Sequence, residues 1–263
     1  MSSATAPAFW APQARWPLPL QAFVRGRMEA ALEAPDRRVD LVWPTVLGSP
    51  RLWELHPEGM SESELFSHSG RMLAALGVED PAQAWRESLA RFPDTAEKSG
   101  AGWRAHSAWA AFHSRASLRC GVGLLALTGQ PLDDRYRLGC AVTLFNSALF
   151  YECHEALEGL WVRSEGDLKR ALQGLILLAA GFHQQQHGEW HGMKNLWRDG
   201  LRVLLYSEGE VPTPWGTVQI GPCLDAVEQR LEWMRHGEPE AASQVLWELP
   251  RPEWNLGSTQ SGA

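Results

Sequence analysis

The chain has 263 residues, 44% of them hydrophobic, which is enough for a buried core, and a formal net charge of -7 from 24 Lys and Arg against 31 Asp and Glu. No cluster of basic residues stands out, which argues against an electrostatic grip on nucleic acid. No stretch approaches the roughly 18 apolar residues of a membrane span, and the N-terminus has no basic segment leading into an apolar run, so the expectation is a soluble, cytoplasmic protein without a membrane partner.

Pro7, Pro12, Pro17 and Pro19 deny the first residues a helix and predict an extended leader. A helix is expected over 20–33, then extended or irregular chain through "RRVDLVWPTVLGSPRLWEL", with a strand at Val39–Trp43. Trp10, Trp16, Trp43 and Trp53 in this region are expected to clamp it onto the rest or to form a partner surface. Ser61 and Glu64 have the spacing of a capping box, which opens a helix to about Leu76. Asp80 before Pro81 starts the next helix and Pro93 closes it. The Ser/Gly-rich "PDTAEKSGAG", 93–102, marks a boundary.

Beyond it, helices are expected over 103–128, 132–163, 167–187, 190–206 and 222–236, joined by short breaks that favour antiparallel neighbours. The fold class is therefore all-α, an up-and-down helical bundle with an N-terminal, partly irregular helical extension. Residues 1–100 form the extension, 101–240 the bundle and 241–263 a polar, frayed tail. Cys120, Cys140, Cys153 and Cys223 are scattered, form no CxxC and read as reduced core thiols.

"YECHEALEGLW", 151–161, carries the chemistry. At 100° per residue Val142, Leu149, Cys153, Ala156, Leu157 and Leu160 face the core. Tyr151, His154, Glu158 and Trp161 share a neighbouring arc, and Glu155 lies farther round with Glu152. His154 and Glu158, at i and i+4, can present two ligands to one ion. His183 falls inside the apolar stripe of the next helix, where it must be hydrogen-bonded or a ligand. An antiparallel hairpin offsets His154 and His183 by about 10 Å along the axis. Gly174, a glycine inside that helix, implies close approach of the two central helices. His187 and His191 flank the following turn, and His106 and His113 sit beside Trp109 and Phe112 in a packing environment.

"LFNSALFYECHEALEGLW", "LQGLILLAAGFHQQ" and "GMKNLWRDGLRVL" together resemble the bacterial, archaeal and plant family of domain of unknown function 309, over about residues 135–236. The resemblance carries Phe145, Asn146, Tyr151, Glu152, His154, Glu155, Leu157, Glu158, Trp161, Gln173, Gly174 and His183. It implies an all-helical fold, and members have loosely been described as predicted metal-dependent hydrolases. The chain departs from the family pattern at Gly188-Glu189, where Gly-Asn is frequent, and residues 1 to about 130 have no counterpart in the smallest members.

Two functions follow. In one, Tyr151, His154, Glu158, Trp161, Gln173 and His183 form a buried polar network of a small-ligand-binding or interaction module, joined by Arg198 or Arg202. In the other, the chain is a metal-dependent hydrolase with zinc or manganese on His154, Glu158 and His183, and Glu155 as the catalytic general base. The motif is not the HExxH of zincins, since Glu158 stands where the second histidine would be, and the marginal ligand count favours the module. A small polar ligand and self-association into a homo-oligomer are the partners this reading admits. No Walker loop, dinucleotide fingerprint or Gly-x-Ser-x-Gly elbow is present.

Overall fold

The computed structural model describes residues 18–91, 103, 107–236, 246, 249 and 251–257. The chain divides between Gly129 and Gln130 into two compact units. The boundary expected at 93–102 lies outside the described residues, as do Pro93, His106, Trp10 and Trp16. The fold is predominantly α, and none of the described helices is long and apolar enough to cross a membrane.

In the first unit α1 (Leu18–Glu33) leads into a 3-10 turn (Pro35–Leu41), followed by α2 (Val42–Leu47), α3 (Pro50–Leu55), α4 (Glu62–Ala75), α5 (Pro81–Ala90) and α6 (Ser107–Leu124). The local signals act as expected. Ser61 and Glu64 close a reciprocal capping box at the start of α4, and Asp80 accepts from the Gln83 amide at the start of α5. Val39–Trp43, expected as a strand, is instead the end of the 3-10 turn and the first residues of α2. Pro44 fits there because the first turn of a helix has no intrahelical use for its donors. Val39, Leu41, Val42, Trp43, Val46 and Leu47 are all buried, and an apolar run covered on every side has no periodicity to separate strand from helix.

Trp43 stacks on Trp85 with ring centroids 4.5 Å apart, and Trp53 donates its indole N–H to the Leu47 carbonyl at 2.6 Å. Both are core residues of the unit rather than a clamp or partner surface. His113 packs between Trp109 and Phe112, at 4.2 and 4.9 Å, and burial pushes its pKa down to about 3. It is therefore a neutral core histidine.

The second unit contains α7 (Asp134–Asn146), α8 (Phe150–Trp161), α9 (Gly166–His187), α10 (Trp190–Val203), a hairpin of β1 (Glu210–Thr213) and β2 (Gly216–Gln219), α11 (Gly221–His236) and β3 (Asn255–Leu256). Consecutive helices pack on one another from α7 to α10. The single helix expected over 132–163 is broken at Ser147–Leu149, where buried Ala148 adopts φ 58°. A left-handed alanine costs about 1–2 kcal/mol, and the break is held from another helix: Gln186 on α9 donates its side-chain amide to the Ala148 carbonyl at 2.9 Å.

The Gly/Pro-rich segment after α10, expected only as a break, folds into the hairpin, and β3 extends it to a three-stranded antiparallel sheet with Val218 opposite Leu256. Residues 251–257 are therefore tied down, in contrast to the frayed tail expected there. Trp254 is fully buried and stacks on Phe145 at 3.7 Å and 5°. Asn146 donates to the Trp254 carbonyl at 2.7 Å and accepts from its amide at 2.9 Å. Gly174 faces the side chain of Leu204, beyond the end of α10, rather than α8, so the close approach it permits is between α9 and the α10 end. The four cysteines are buried thiols outside any disulfide, as read from the sequence.

Candidate functional site

α8 buries Phe150, Cys153, Leu157 and Leu160 and turns Glu158 and Gly159 to solvent, which leaves His154 and Glu155 at the margin between core and water. His154 lies between two carboxylates. Its Nδ1 is 3.5 Å from Glu155 Oε1 and its Nε2 is 3.2 Å from Glu158 Oε1. One donor atom from each of the three residues lies within 4.8 Å of the others, and no other described group of three or more His, Cys, Asp or Glu converges in this way. The side chains are 23%, 35% and 48% exposed for His154, Glu155 and Glu158, so the cluster opens to water instead of being sealed in the core.

Glu155, placed farther round the helix by the sequence reading, thus joins the cluster as a donor beside His154. His183 does not belong to that donor group. The ring of Tyr151 bridges the axial gap between the two histidines, 5.8 Å from His154 and 5.2 Å from His183. His187 continues the row, its ring 4.5 Å from that of His183. Burial pushes the His183 pKa down to about 3, with His187 and His154 adding to the effect, and burial also lowers that of His187. Both rings are neutral near pH 7, and His183 is a poor place for a positive charge. His191, across the turn, is exposed.

The other expected members stand apart. Trp161 receives the Lys169 ammonium over its ring at 4.3 Å, a cation–π contact that closes the α8–α9 turn. Gln173 is half-buried, and among the described residues no hydrogen bond joins it to the cluster. Arg202 is spent on Asp199 at 3.0 Å and Arg198 is exposed, so neither completes a network around His154. Glu152, which the sequence reading set beside Glu155, is buried instead. Phe145 and Asn146, whose role the motif alone did not reveal, anchor the C-terminal strand through Trp254. No spacing in the sequence pointed to that contact, because its partners are 108 residues apart.

His154 thus presents an imidazole flanked by two carboxylates at a hydrated surface. Such a set attracts a cation, and its donors are those of a mixed nitrogen and oxygen metal site. Comparison with curated proteins and with solved structures gives no match. The family model described as domain of unknown function (DUF309) matches residues 138–196, the segment from α7 into α10 that contains this cluster, so the resemblance read from the motifs holds there.

Proposed function

We propose that the second unit is a binding module that holds a divalent cation, manganese or zinc, on His154, Glu155 and Glu158. The convergence of three donor atoms within 4.8 Å carries this reading. The ion is held by one imidazole and two carboxylates, and the remaining coordination positions, open to water, admit a small polar ligand. Nucleic acid and membrane are not partners in this reading, and the module acts in the cytoplasm.

The binding module is favoured over a hydrolase for a chemical reason. Carboxylate-assisted hydrolysis on a metal needs a general base distinct from the ligands. Glu155, the base that the hydrolase reading assigns, lies within the donor set, and His183, the ligand that would replace it, lies outside that set with its ring 5.2 Å from that of Tyr151.

The test is metal content. Purified without chelator or histidine tag, the protein should carry or take up near-stoichiometric manganese or zinc, lose it in His154→Ala and Glu158→Gln, and unfold at lower temperature after chelation. Glu155→Gln separates the two readings. It should weaken metal binding in the module, whereas a variant that keeps its metal and loses a hydrolytic turnover would establish the hydrolase. Wild-type protein that binds neither ion would end both.

A further inference from the structure

The first unit holds a second histidine cluster, independent of the α8 site. His56 caps the end of α3 and His68 lies in the middle of α4. Their Nε2 atoms are 3.0 Å apart, with the rings inclined at 76°. Two imidazole nitrogens this close permit two arrangements: one N–H donates to the other's lone pair, or both lone pairs face a shared cation.

The far side of His56 favours readiness for the second. Its Nδ1 lies 3.3 Å from Glu64 Oε1. An ionised carboxylate only accepts, so in the neutral ring the proton sits on Nδ1 and the Nε2 lone pair is turned toward His68. Metal-ligating histidines use the same arrangement, in which a carboxylate fixes the tautomer and raises the basicity of the ligating nitrogen. Glu64 is itself fixed. Its Oε2 accepts from the Ser61 amide and the Ser61 hydroxyl, each at 2.7 Å, through the capping box that starts α4. These two Ser61 donors, with the nearby His56 and His68 adding, hold the Glu64 carboxyl below its ordinary range.

We propose that His56 and His68 form a two-imidazole site for a borderline divalent cation of the zinc, nickel and copper class, with Glu64 as the positioning residue. Bonds of about 2.1 Å to nitrogens 3.0 Å apart subtend roughly 90° at the ion, as two adjacent ligands do. His56 and Glu64 are 20% and 44% exposed, so water reaches the pair and completes the coordination shell. Without metal, His68 donates its Nε2 proton to His56. On binding, that proton moves to His68 Nδ1, and neither ring changes charge. Two imidazoles select a softer ion than the single imidazole and two carboxylates of the α8 cluster.

Zinc titration of the metal-free full chain by calorimetry tests this, with His68→Gln, Glu64→Gln and His154→Ala compared. His68→Gln should lose one bound equivalent that His154→Ala retains. Glu64→Gln keeps a capping-box residue, so α4 should persist while zinc affinity at the pair falls about 10- to 100-fold. In the wild-type protein, the Nε2 resonances of His56 and His68 should both move on zinc addition. Unmoved resonances at saturating zinc, or His68→Gln with the full wild-type stoichiometry, would overturn the site, and the first of these holds even if a variant fails to fold. Wild-type affinity in Glu64→Gln would remove Glu64 from it.

Discussion

Asp40 in the first unit and His154 in the second each gather charged partners, but they keep different amounts of water. The Asp40 side chain is fully buried. One oxygen accepts from Ser88 and Arg91 at 2.6 and 2.8 Å, and the other from Arg37 at 3.0 Å, with Arg27 at 3.7 Å. Ser88 in turn accepts from the Trp43 indole at 2.7 Å. Protein groups satisfy this carboxylate, so it fixes a packing arrangement and leaves nothing for a ligand to do. His154, Glu155 and Glu158 come from little more than one turn of α8, stay in contact with water and carry more negative than positive charge. Charge balanced inside the fold organises the fold. Donor groups held at a hydrated margin are where an ion from outside can bind.

Acid should produce the largest effect, because it acts on a desolvated histidine in each unit. His113 and His183 have pKa values lowered from 6.5 to about 3 in the folded protein, chiefly by burial. Between those values the unfolded chain takes up a proton that the folded chain refuses. Stability is thus fully present above pH 6.5 and is lost progressively as pH falls toward 3. The unfolding midpoint should fall steeply as pH is lowered from neutrality to about 4.5, and less steeply in His113→Gln and in His183→Gln. The slope is the observable, since either substitution also changes the starting stability. A flat wild-type profile across that window would show that the two rings are not held neutral.

A direct contrast between the two clusters comes next. Asp40→Ala leaves arginines gathered around a missing charge and should cost about 3 kcal/mol in denaturant unfolding. Glu158→Gln removes one member of a half-exposed pair and should cost less than about 1 kcal/mol. Equal costs would mean that the α8 cluster braces the fold as Asp40 does, and the comparison would fail.

What could be read from the sequence was what depends on neighbours in the chain. The capping residues Ser61 and Asp80 announced α4 and α5 because a cap acts over three residues. His154 and Glu158 were legible for the same reason, at one helical turn. The break at Ser147–Leu149 contains neither glycine nor proline, and its support is Gln186, 38 residues away. Asp40 reaches Arg91 across 51 residues, and His56 meets His68 across the turn between two helices. These contacts depend on how the elements pack, which local spacing does not encode. The strand expected at Val39–Trp43 failed differently: uniform burial erased the pattern that periodicity needs.

The smallest effects separate packed from hydrated surface within the second unit, using one substitution at two helical glycines. Gly181 on α9 faces Trp197 of α10 so closely that an added methyl group would overlap the indole ring. Trp197 is fully buried and rigid, so it has little room to yield. Gly181→Ala should therefore destabilise by about 2 kcal/mol despite the better helix propensity of alanine. Gly159 on α8 is exposed, next to Glu158, and an added methyl group meets nothing within 4 Å. Gly159→Ala should stabilise by up to about 1 kcal/mol, because only the backbone entropy of glycine is removed. It should also leave metal content unchanged, since the added methyl group meets nothing within 4 Å. A destabilised Gly159→Ala would mean that this face of α8 is covered in solution, and the hydrated surface assigned to the His154 cluster would have to be given up.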